Sequence, residues 1–322
     1  MKTIGVLTSG GDAPGMNACL RAVVRAALAQ GVQTLGIRRG YAGLCAGEVE
    51  PLTSRAVGGI ARWGGTILQT FRSEEFKTTE GFWNAVQNIR RFEIDGLVVI
   101  GGDGSLRGAL KLHEAGISCV GVPGSIDNDI YGTDVSIGVD TATNTILEAI
   151  DKIKDTASAH QRAFVIEVMG RRCGYLALAA GVAGGAEMVI VPESPTSIEE
   201  ITNELARARD RGKPHFIVVV AEGARPTASE ICNTLMGMKA QGFEARLTVL
   251  GHVQRGGSPT AFDRLLATRL GTAAVEALLE GKSGVMVGQR GTETITISLE
   301  EALSRQRPVD ADLLRLEQTL AL

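Results

Sequence analysis

Short apolar runs rich in β-branched residues alternate along the chain with segments whose apolar residues recur at helical spacing. Strands are predicted near residues 3–8, 33–37, 95–100, 117–121, 163–168, 187–191, 215–220 and 244–249. Helices are predicted from Pro14 to Gly31 and near 139–155, 197–211 and 259–281. Because most neighbouring strands are separated by enough residues for a helix, this alternation predicts an α/β fold with one or two mostly parallel sheets.

The composition narrows the classes of function. A chain of 322 residues, 44% hydrophobic and 21% charged, is long enough for one large α/β unit or two domains with a sizeable core. Its net charge of −3 argues against general attraction to nucleic acid or to an anionic membrane. Aromatic residues are few (4%) and glycines are many (41), which favours glycine-lined turns over an aromatic platform for nucleic acid. We therefore expect neither nucleic acid nor a membrane as partner.

The cysteines and the lengths of the apolar runs indicate the cellular compartment of the protein. No apolar run reaches about 18 residues, and the first strand begins at the N-terminus without a signal sequence before it. The five cysteines are widely spaced and form no C-x-x-C pair, so we expect small buried residues in a reducing compartment. A cytoplasmic location follows from these two expectations.

Three predicted strands lead into loops that combine glycine with aspartate. The loops are Gly10-Gly11-Asp12, Gly101-Gly102-Asp103-Gly104-Ser105 and Ser125-Ile126-Asp127-Asn128-Asp129. At the carboxyl end of a parallel sheet, such loops can position phosphates, a divalent cation and a base. A turn is predicted at Pro123-Gly124. Asp127 and Asp129, which follow it, are candidates for the base and for a cation-holding acid, although aspartate is also common in turns.

The two glycine loops also have a purely structural interpretation. Gly10 to Gly15 has the G-x-x-x-x-G spacing of a P-loop, but Met16-Asn17 stands in place of Lys-Ser/Thr. That leaves either an anion site at a helix N-terminus or a tight turn. The glycines at 101–104 do not form a dinucleotide fingerprint, because Arg107 occupies the third glycine position. Asp103 is then either a helix N-cap or a magnesium-holding residue.

Basic residues lie beside several strand ends and glycines. Guanidinium groups suit phosphate oxygens, although any single arginine is more often a solvated surface residue. The candidates are Arg72, Arg162, Arg171, Arg172, Arg246 and Arg255. His252 alone could be a structural histidine, but its place with Gln254 and Arg255 in a glycine loop favours a functional role. For two further clusters, Arg21 with Arg25 and Arg211 with Lys213 and His215, a solvated face is the default interpretation.

Taken together, several motifs resemble the bacterial ATP-dependent 6-phosphofructokinases, from the N-terminus to near the end of the chain. The matching segments are Gly5–Asn17, Val98–Ser105, Ile126–Asp129, Ser158–Arg162, Glu167–Arg171 and Val249–Pro259. The resemblance implies two Rossmann-like α/β domains with mostly parallel sheets and a cleft between them. It assigns ATP binding to residues 1–138 plus 251–305, and sugar-phosphate binding to residues 139–250 plus 306–322. The implied reaction is Mg²⁺-assisted phosphorylation of the 1-hydroxyl of fructose 6-phosphate by ATP, the committed step of glycolysis.

The resemblance also implies roles for individual residues. Asp127 would take the hydroxyl proton, while Ser125, Arg171 and the amide of Gly11 would face the transferring phosphoryl group. Magnesium would be held by Asp103, with Asp129 nearby. The implied ATP-binding residues are Gly11, Arg72, Ser73, Gly102, Asp103, Gly104 and Ser105. The implied sugar-phosphate residues are Ser125, Ile126, Asp127, Arg162, Met169, Gly170, Arg171, Glu222, Arg246, His252, Val253, Gln254 and Arg255.

By the same resemblance the enzyme is an oligomer. Arg162 and Arg246 would come from a neighbouring subunit, most simply in a homotetramer. An effector site for ADP or phosphoenolpyruvate would lie between subunits, which replaces the solvated-face interpretation of the two basic clusters. Its implied residues are Arg21, Arg25, Lys154, Gly185, Glu187, Arg211 and Lys213. Arg55 is displaced by one position from an expected effector arginine, which leaves the identity of the effector open.

The phosphate donor is suggested by two glycines. Pyrophosphate-using relatives carry Asp where this chain has Gly104 and Lys where it has Gly124. A carboxylate at 104 would crowd and repel the α-phosphate of ATP, so ATP is the expected donor. The alternatives are a pyrophosphate-dependent phosphofructokinase and a non-catalytic paralogue that binds nucleotide or sugar phosphate. Two departures from the family pattern are Ser125, where Thr is usual, and Ser73, where an apolar residue is usual.

Overall fold

The computed structural model describes residues 1–160, 162–237 and 244–320. Gln161, within the matching segment Ser158–Arg162, lies outside the described residues, as do 238–243 and 321–322 of the predicted sugar-phosphate domain. The chain divides into two compact units. Unit 1 comprises Met1–Ile126, Ile130–Thr141 and Arg255–Arg307, and unit 2 comprises Asp127–Asp129, Ala142–Gln254 and Pro308–Leu322.

Eleven strands form in the described residues. They are β1 (Thr3–Ser9), β2 (Gln33–Ile37), β3 (Val49–Pro51), β4 (Gly96–Gly101), β5 (Cys119–Pro123), β6 (Arg162–Val168), β7 (Met188–Ile190), β8 (Phe216–Ala221), β9 (Glu244–Val249), β10 (Val285–Arg290) and β11 (Glu293–Ser298). Unit 1 has the sheet order β11-β10-β5-β4-β1-β2-β3, and unit 2 has β7-β8-β6-β9. Pairing is parallel except for β3 and β11 at the two edges of the first sheet. The predicted α/β fold with mostly parallel sheets is therefore confirmed.

The helices among the described residues connect these strands. They are α1 (Met16–Ala29), α2 (Gly40–Ala46), α3 (Thr79–Arg91), α4 (Asp103–Glu114), α5 (Val139–His160), α6 (Tyr175–Ala183), α7 (Ile198–Asp210), α8 (Ala228–Gly237), α9 (Ala261–Leu279), α10 (Leu299–Ser304) and α11 (Ala311–Leu320). In unit 1, a core that includes Leu7, Val99 and Leu106 is closed by aromatic side chains such as Phe82 of α3. None of the described helices combines the length and the apolar character needed to cross a membrane.

Local signals explain where several elements begin. All seven residues of β1 and all six of β4 and β8 are buried, as expected for strands covered on both faces. The helix α7 starts with a capping box, in which Ser197 and Glu200 bond reciprocally to each other's backbone N–H groups. The helix α3 starts at Thr78, whose hydroxyl accepts a hydrogen bond from the Gly81 N–H at 3.0 Å.

The predicted turn at Pro123-Gly124 is wrong. The strand β5 continues through Pro123, whose carbonyl accepts a hydrogen bond from the Ile137 N–H at 3.0 Å, and Gly124 forms a bridge to Ile137. A proline at the end of a strand loses only an N–H that the ladder does not need there. The turn comes two residues later, at Ile126-Asp127.

One expectation about a helix start is also wrong, because Pro14 lies in the turn before α1, which begins at Met16. The alternative of Asp103 as an N-cap does not hold either, since Asp103 is the first residue of α4 and Gly102 is the N-cap. The strands β3, β10 and β11 were not expected from the sequence. Of these, β11 shows a detectable signal, because Thr and Ile alternate along its length while its exposed residues alternate with half-buried ones.

Candidate active site

The site in unit 1 lies at a reversal of strand order. From β1 the chain passes to β2 on one side, whereas β4 pairs with β1 on the other side. In open parallel sheets, ligands bind at the carboxyl ends of the strands where the order reverses. The loops after β1 and β4, which contain Gly11 and Gly102, lie at this position, and the loop after β5 contains Ser125 and Ile126.

The first glycine loop lies under an arginine. A Cβ placed on Gly11 would come 2.6 Å from Nη1 of Arg255, so a larger residue there would displace the end of the arginine side chain. The same nitrogen donates a hydrogen bond to the carbonyl oxygen of Asp12 at 3.1 Å. On the other side of the loop, the hydroxyl of Thr70 donates to the carbonyl oxygen of Gly10 at 2.7 Å. Arg255, predicted to bind the sugar phosphate, is therefore held against the loop of Gly11.

The second glycine loop presents one carboxylate at the start of α4. Asp103 forms a two-point ion pair with Arg107 one turn later, with Nε–Oδ2 at 2.9 Å and Nη2–Oδ1 at 3.0 Å. Its side chain is 45% exposed. Ser105 is buried, and its carbonyl oxygen accepts a hydrogen bond from the Tyr41 hydroxyl at 2.6 Å. Arg72 is exposed in the loop before α3, and the Ser73 hydroxyl accepts the Phe76 N–H at 3.1 Å.

The carboxylates suit a magnesium ion that takes some of its ligands from the phosphates of a substrate. The described residues contain no group of three or more His, Cys, Asp or Glu side chains that could hold a metal ion by themselves. Magnesium usually uses only one or two protein carboxylates and takes its other ligands from substrate phosphates and water. Asp103, half exposed at a helix N-terminus, suits that arrangement. Asp129 belongs to unit 2.

The acid loop belongs to unit 2 and buries its first carboxylate. Asp127 is only 3% exposed, and Asn128, next to it, is fully buried with a left-handed φ of 53°. The Nε of Arg171 lies 3.8 Å from Oδ2 of Asp127. Cys173 is only half-buried and donates through Sγ to the carbonyl oxygen of Asn128 at 3.9 Å, so the expectation that all five cysteines are buried is wrong for this one.

The backbone of Arg171 is fixed from two sides. Its φ is 53°, and its N–H donates to Oε1 of Glu222 at 2.8 Å. A Cβ on Gly223 would lie 1.8 Å from the Arg171 carbonyl oxygen, so the close packing of these two segments requires glycine. Next to it, the Met169 N–H donates to Oε1 of the fully buried Gln254 at 3.1 Å. Hydrogen bonds from Met169 and Arg171 thus reach two other predicted substrate residues, Gln254 and Glu222, and these four residues form one cluster.

The Glu222 carboxylate also influences a neighbouring carboxyl group, that of Glu167. Burial raises the pKa of the Glu167 carboxyl, and the negative charge of Glu222 raises it further. No role is predicted for Glu167, which lies in the strand that leads to Met169 and Gly170. His252 and Val253 are exposed in the short helical turn that ends at Arg255.

Arg162 and Arg246 lie apart from Arg171 in the same chain. Arg162 begins β6 and Arg171 follows its end, so the seven-residue strand separates them by roughly 20 Å. Both arginines pair with Glu244: Nε of Arg162 donates to Oε2 at 3.0 Å, and Nη2 of Arg246 donates to Oε1. The hydrogen bond from Arg246 is the main reason that the pKa of Glu244 is lowered. Sequence reasoning missed Glu244, although its place two residues before Arg246 on a strand puts both on one face.

Most of the predicted effector residues form a cluster in unit 2. The buried Glu187 accepts the Ile217 N–H at 2.7 Å, and its other oxygen lies 3.4 Å from Nζ of Lys213. The Lys154 ammonium donates to the carbonyl oxygen of Gly185 at 2.8 Å. Arg211 pairs with Glu204 at 2.5 Å. The remaining two, Arg21 and Arg25, are on α1 of unit 1.

Comparisons with known proteins agree with one another. A model of the family described as phosphofructokinase matches residues 3–278. The chain is 57% identical over 323 residues to ATP-dependent 6-phosphofructokinase 1 of Thermus thermophilus, and 53% identical over 322 residues to ATP-dependent 6-phosphofructokinase of Halalkalibacterium halodurans, covering 100% of both chains in each case. Among solved structures, phosphofructokinase from Saccharomyces cerevisiae is similar with a TM-score of 0.88 and 39% identity, over 94% of this chain and 45% of that one. A pyrophosphate-dependent phosphofructokinase from Marinobacter aquaeolei, 24% identical with a TM-score of 0.82 over 100% and 92% of the two chains, shares the fold.

Proposed function

This chain belongs to the phosphofructokinase family, and we propose that it transfers the γ-phosphoryl group of ATP to the 1-hydroxyl of fructose 6-phosphate, a reaction of glycolysis. Full-length similarity to enzymes named as ATP-dependent 6-phosphofructokinases supports both the activity and the donor. The single structural observation that carries the chemistry is the buried Asp127 carboxylate with Arg171 beside it.

In this proposal Asp127 is the general base. Phosphoryl transfer requires little covalent chemistry from the protein, so positioning and charge neutralisation provide most of the rate enhancement. Asp127 accepts the proton of the 1-hydroxyl as the oxygen attacks. The Arg171 guanidinium, the Gly11 amide and the Ser125 hydroxyl then face the transferring group and stabilise its charge. Serine in place of threonine at 125 keeps the hydroxyl that this role requires.

We further propose that unit 1 binds ATP and that the loop at 102–105 holds its phosphates. Magnesium would be held by Asp103, with Asp129 as a second acid, and would neutralise charge on the ATP phosphates. The donor assignment is supported by Gly104, where a Cβ would meet nothing within 4 Å, so the start of α4 keeps open space. At Gly124 a Cβ would lie 3.2 Å from Cε of Met16 and 3.4 Å from Cγ2 of Ile100, so a side chain at this position requires a small shift of Met16.

The sugar phosphate is assigned mainly to residues of unit 2 and of a neighbouring subunit. We propose a cytoplasmic homotetramer in which Arg162 and Arg246 of one subunit complete the site of another. Two observations support an interface at the edge of unit 2 that β9 forms. The strand β9 is at the edge of its sheet, and it exposes Leu247 (38%) and Val249 (55%). Exposed apolar residues on an edge strand are typical of a surface that pairs or packs with another chain.

The effector site is proposed for ADP or phosphoenolpyruvate. The cluster around Glu187, Lys154 and Lys213 supplies cations suited to phosphate groups. We propose that Arg21 and Arg25 of another subunit complete it. An activity titration over fructose 6-phosphate, with and without each effector, tests this assignment by a shift in the half-saturating concentration.

A coupled assay tests the main proposal against its two alternatives. Purified enzyme is given fructose 6-phosphate and Mg²⁺ with either ATP or pyrophosphate, and Asp127→Ser is measured in parallel. We expect activity with ATP, little with pyrophosphate, and a loss of roughly 10²–10⁴-fold in kcat for the variant. Activity only with pyrophosphate would identify the other donor, and a wild type inactive with both donors would identify a non-catalytic binding protein.

A further inference from the structure

Glu244 connects two arginines that belong to different strands. It is the register partner of Arg162 across the parallel pair β6 and β9, and Arg246 is two residues further along β9. Alternation along a strand places Glu244 and Arg246 on the same face of the sheet, and pairing places Arg162 beside them. The two carboxylate oxygens are divided between the arginines: Oε2 accepts from Arg162 and Oε1 accepts from Arg246.

This arrangement brings two like charges together. Two guanidinium groups at one site repel each other, and a carboxylate between them removes much of that repulsion. Arg246 is further fixed by a hydrogen bond from its Nη1 to the carbonyl oxygen of Ala245 at 3.1 Å. The three side chains of Arg162, Glu244 and Arg246 are 29%, 38% and 42% exposed, so a ligand can reach the pair from outside.

We propose that Glu244 is a positioning residue for the sugar-phosphate site, which holds Arg162 and Arg246 together as one preorganised phosphate-binding pair. The inference rests on the proposed function, which assigns these two arginines to the phosphate of fructose 6-phosphate on a neighbouring subunit. A pair presented to another chain has to be oriented by its own chain, and Glu244 supplies that orientation. A guanidinium carries five N–H donors, and the bonds from Arg162 to Glu244 use its Nε and Nη2, so the donors on Nη1 can address phosphate oxygens.

The test is the nearly isosteric change Glu244→Gln. It keeps the shape of the side chain and removes the charge that both arginines share. We expect KM for fructose 6-phosphate to rise about fivefold, the upper range for a partly exposed ion pair. We also expect kcat to stay within about twofold and KM for ATP to stay unchanged, because the 1-hydroxyl reacts at the other end of the sugar from its phosphate. The charge-conserving Glu244→Asp should restore part of the affinity.

A matched control uses another carboxylate of an ion pair. Glu148→Gln removes the partner of Lys152 on the exposed face of α5 and changes the net charge by the same amount. It should leave both KM values at wild type. Arg162→Ala alone should raise KM for fructose 6-phosphate, and adding Glu244→Gln to it should raise KM by less than in the wild-type background, because the two residues act together.

The outcomes separate this inference from the proposed function. An unchanged or lowered KM for fructose 6-phosphate in Glu244→Gln, alongside a raised KM in Arg162→Ala, overturns the positioning role; the lowered value would mean that Glu244 competes with the phosphate. A normal KM in both Arg162→Ala and Arg246→Ala would instead refute the assignment of the arginines. A wild type without ATP-dependent activity would refute the proposed function itself and this inference with it.

Discussion

The Nε of Arg171 lies 3.8 Å from Oδ2 of Asp127, a carboxylate that is almost fully buried while the arginine side chain is 56% exposed. The guanidinium can therefore compensate the buried charge and also reach a group outside. We predict that Arg171→Gln lowers kcat by roughly 10²–10³-fold, the cost of removing one donor that stabilises a developing negative charge. Steady-state kinetics over ATP and fructose 6-phosphate test this, and a kcat within threefold of wild type would contradict the role.

The position of Arg171 depends on a glycine in another loop. A Cβ on Gly223 would lie 1.8 Å from the Arg171 carbonyl oxygen, so Gly223→Ala has to displace this peptide. Since a misplacement of about 1 Å in a catalytic group can cost about 10²-fold in rate, we predict a fall in kcat of at least about tenfold. The matched control is Gly237→Ala at the end of α8, where a Cβ meets nothing within 4 Å. If both variants keep the wild-type kcat, the packing against Arg171 does not matter for catalysis.

Some features of the candidate site can be predicted from the sequence, whereas others are visible only in the structure. The loops of Asp103 and Asp127 could be predicted because strand, glycine and acid are adjacent in the chain, so the signal is local. The pairing of Arg162 with Glu244 could not, because it joins residues 82 positions apart through the register of β6 and β9. The bond from Met169 to Gln254, 85 positions apart, was hidden for the same reason.

The fold shows the same contrast between local and distant signals. Strands buried on both faces, such as β4 and β8, were predicted nearly to their ends because their apolar runs are continuous. The edge strand β3, with three residues, is too short to form a pattern. The sequence predicts a turn at Pro123 because the partners that keep this residue in β5 are distant along the chain. Gly101 of β4 lies opposite it, and Ile137, fourteen positions further on, donates to its carbonyl oxygen.

The choice of phosphate donor can be tested at Gly104. A Cβ there meets nothing within 4 Å, so Gly104→Asp should fold normally and act through charge near the ATP phosphates. We predict a KM for ATP raised by about tenfold or more, as expected for a carboxylate placed close to a phosphate. Gly104→Ala, which adds bulk without charge, should change this KM much less. An unchanged KM for ATP in Gly104→Asp would show that glycine at position 104 does not determine the choice of ATP as donor.

A prediction about stability concerns Asp263, which is fully buried in unit 1. Its carboxylate accepts the N–H groups of Gly138 and Thr141, both at 2.8 Å, and the Thr141 hydroxyl at 2.6 Å, at the start of α5. Asp263→Ala removes the acceptor of these three buried hydrogen bonds, so we predict that it lowers the free energy of unfolding by about 2–4 kcal/mol. Asp263→Asn, which keeps one acceptor oxygen, should cost less. Urea unfolding measures both, and equal losses would show that packing rather than hydrogen bonding sets the effect.

The pH dependence of stability can be assigned in part to His215. Its Nδ1 lies 2.8 Å from the Ser158 hydroxyl, and its Nε2 lies 3.9 Å from Oε1 of Glu187. Burial lowers the pKa of His215; the charge of Glu187 opposes this shift, while Lys154 and Lys213 add to it. Because the folded pKa is below the ordinary value of 6.5, the unfolded chain binds more protons in the interval between the two values. The stability therefore falls as the pH drops below about 6.5.

We accordingly predict that His215→Gln flattens the decline of the unfolding free energy below about pH 6.5, where His215 contributes to the wild-type slope. The remaining slope should come from other groups, and it sets the baseline of the comparison. His160→Gln, at the exposed end of α5, is the matched control and should keep the wild-type slope. Urea unfolding at several pH values provides the measurement. A slope that stays the same in His215→Gln, or that steepens, would show that protonation of this histidine does not oppose folding.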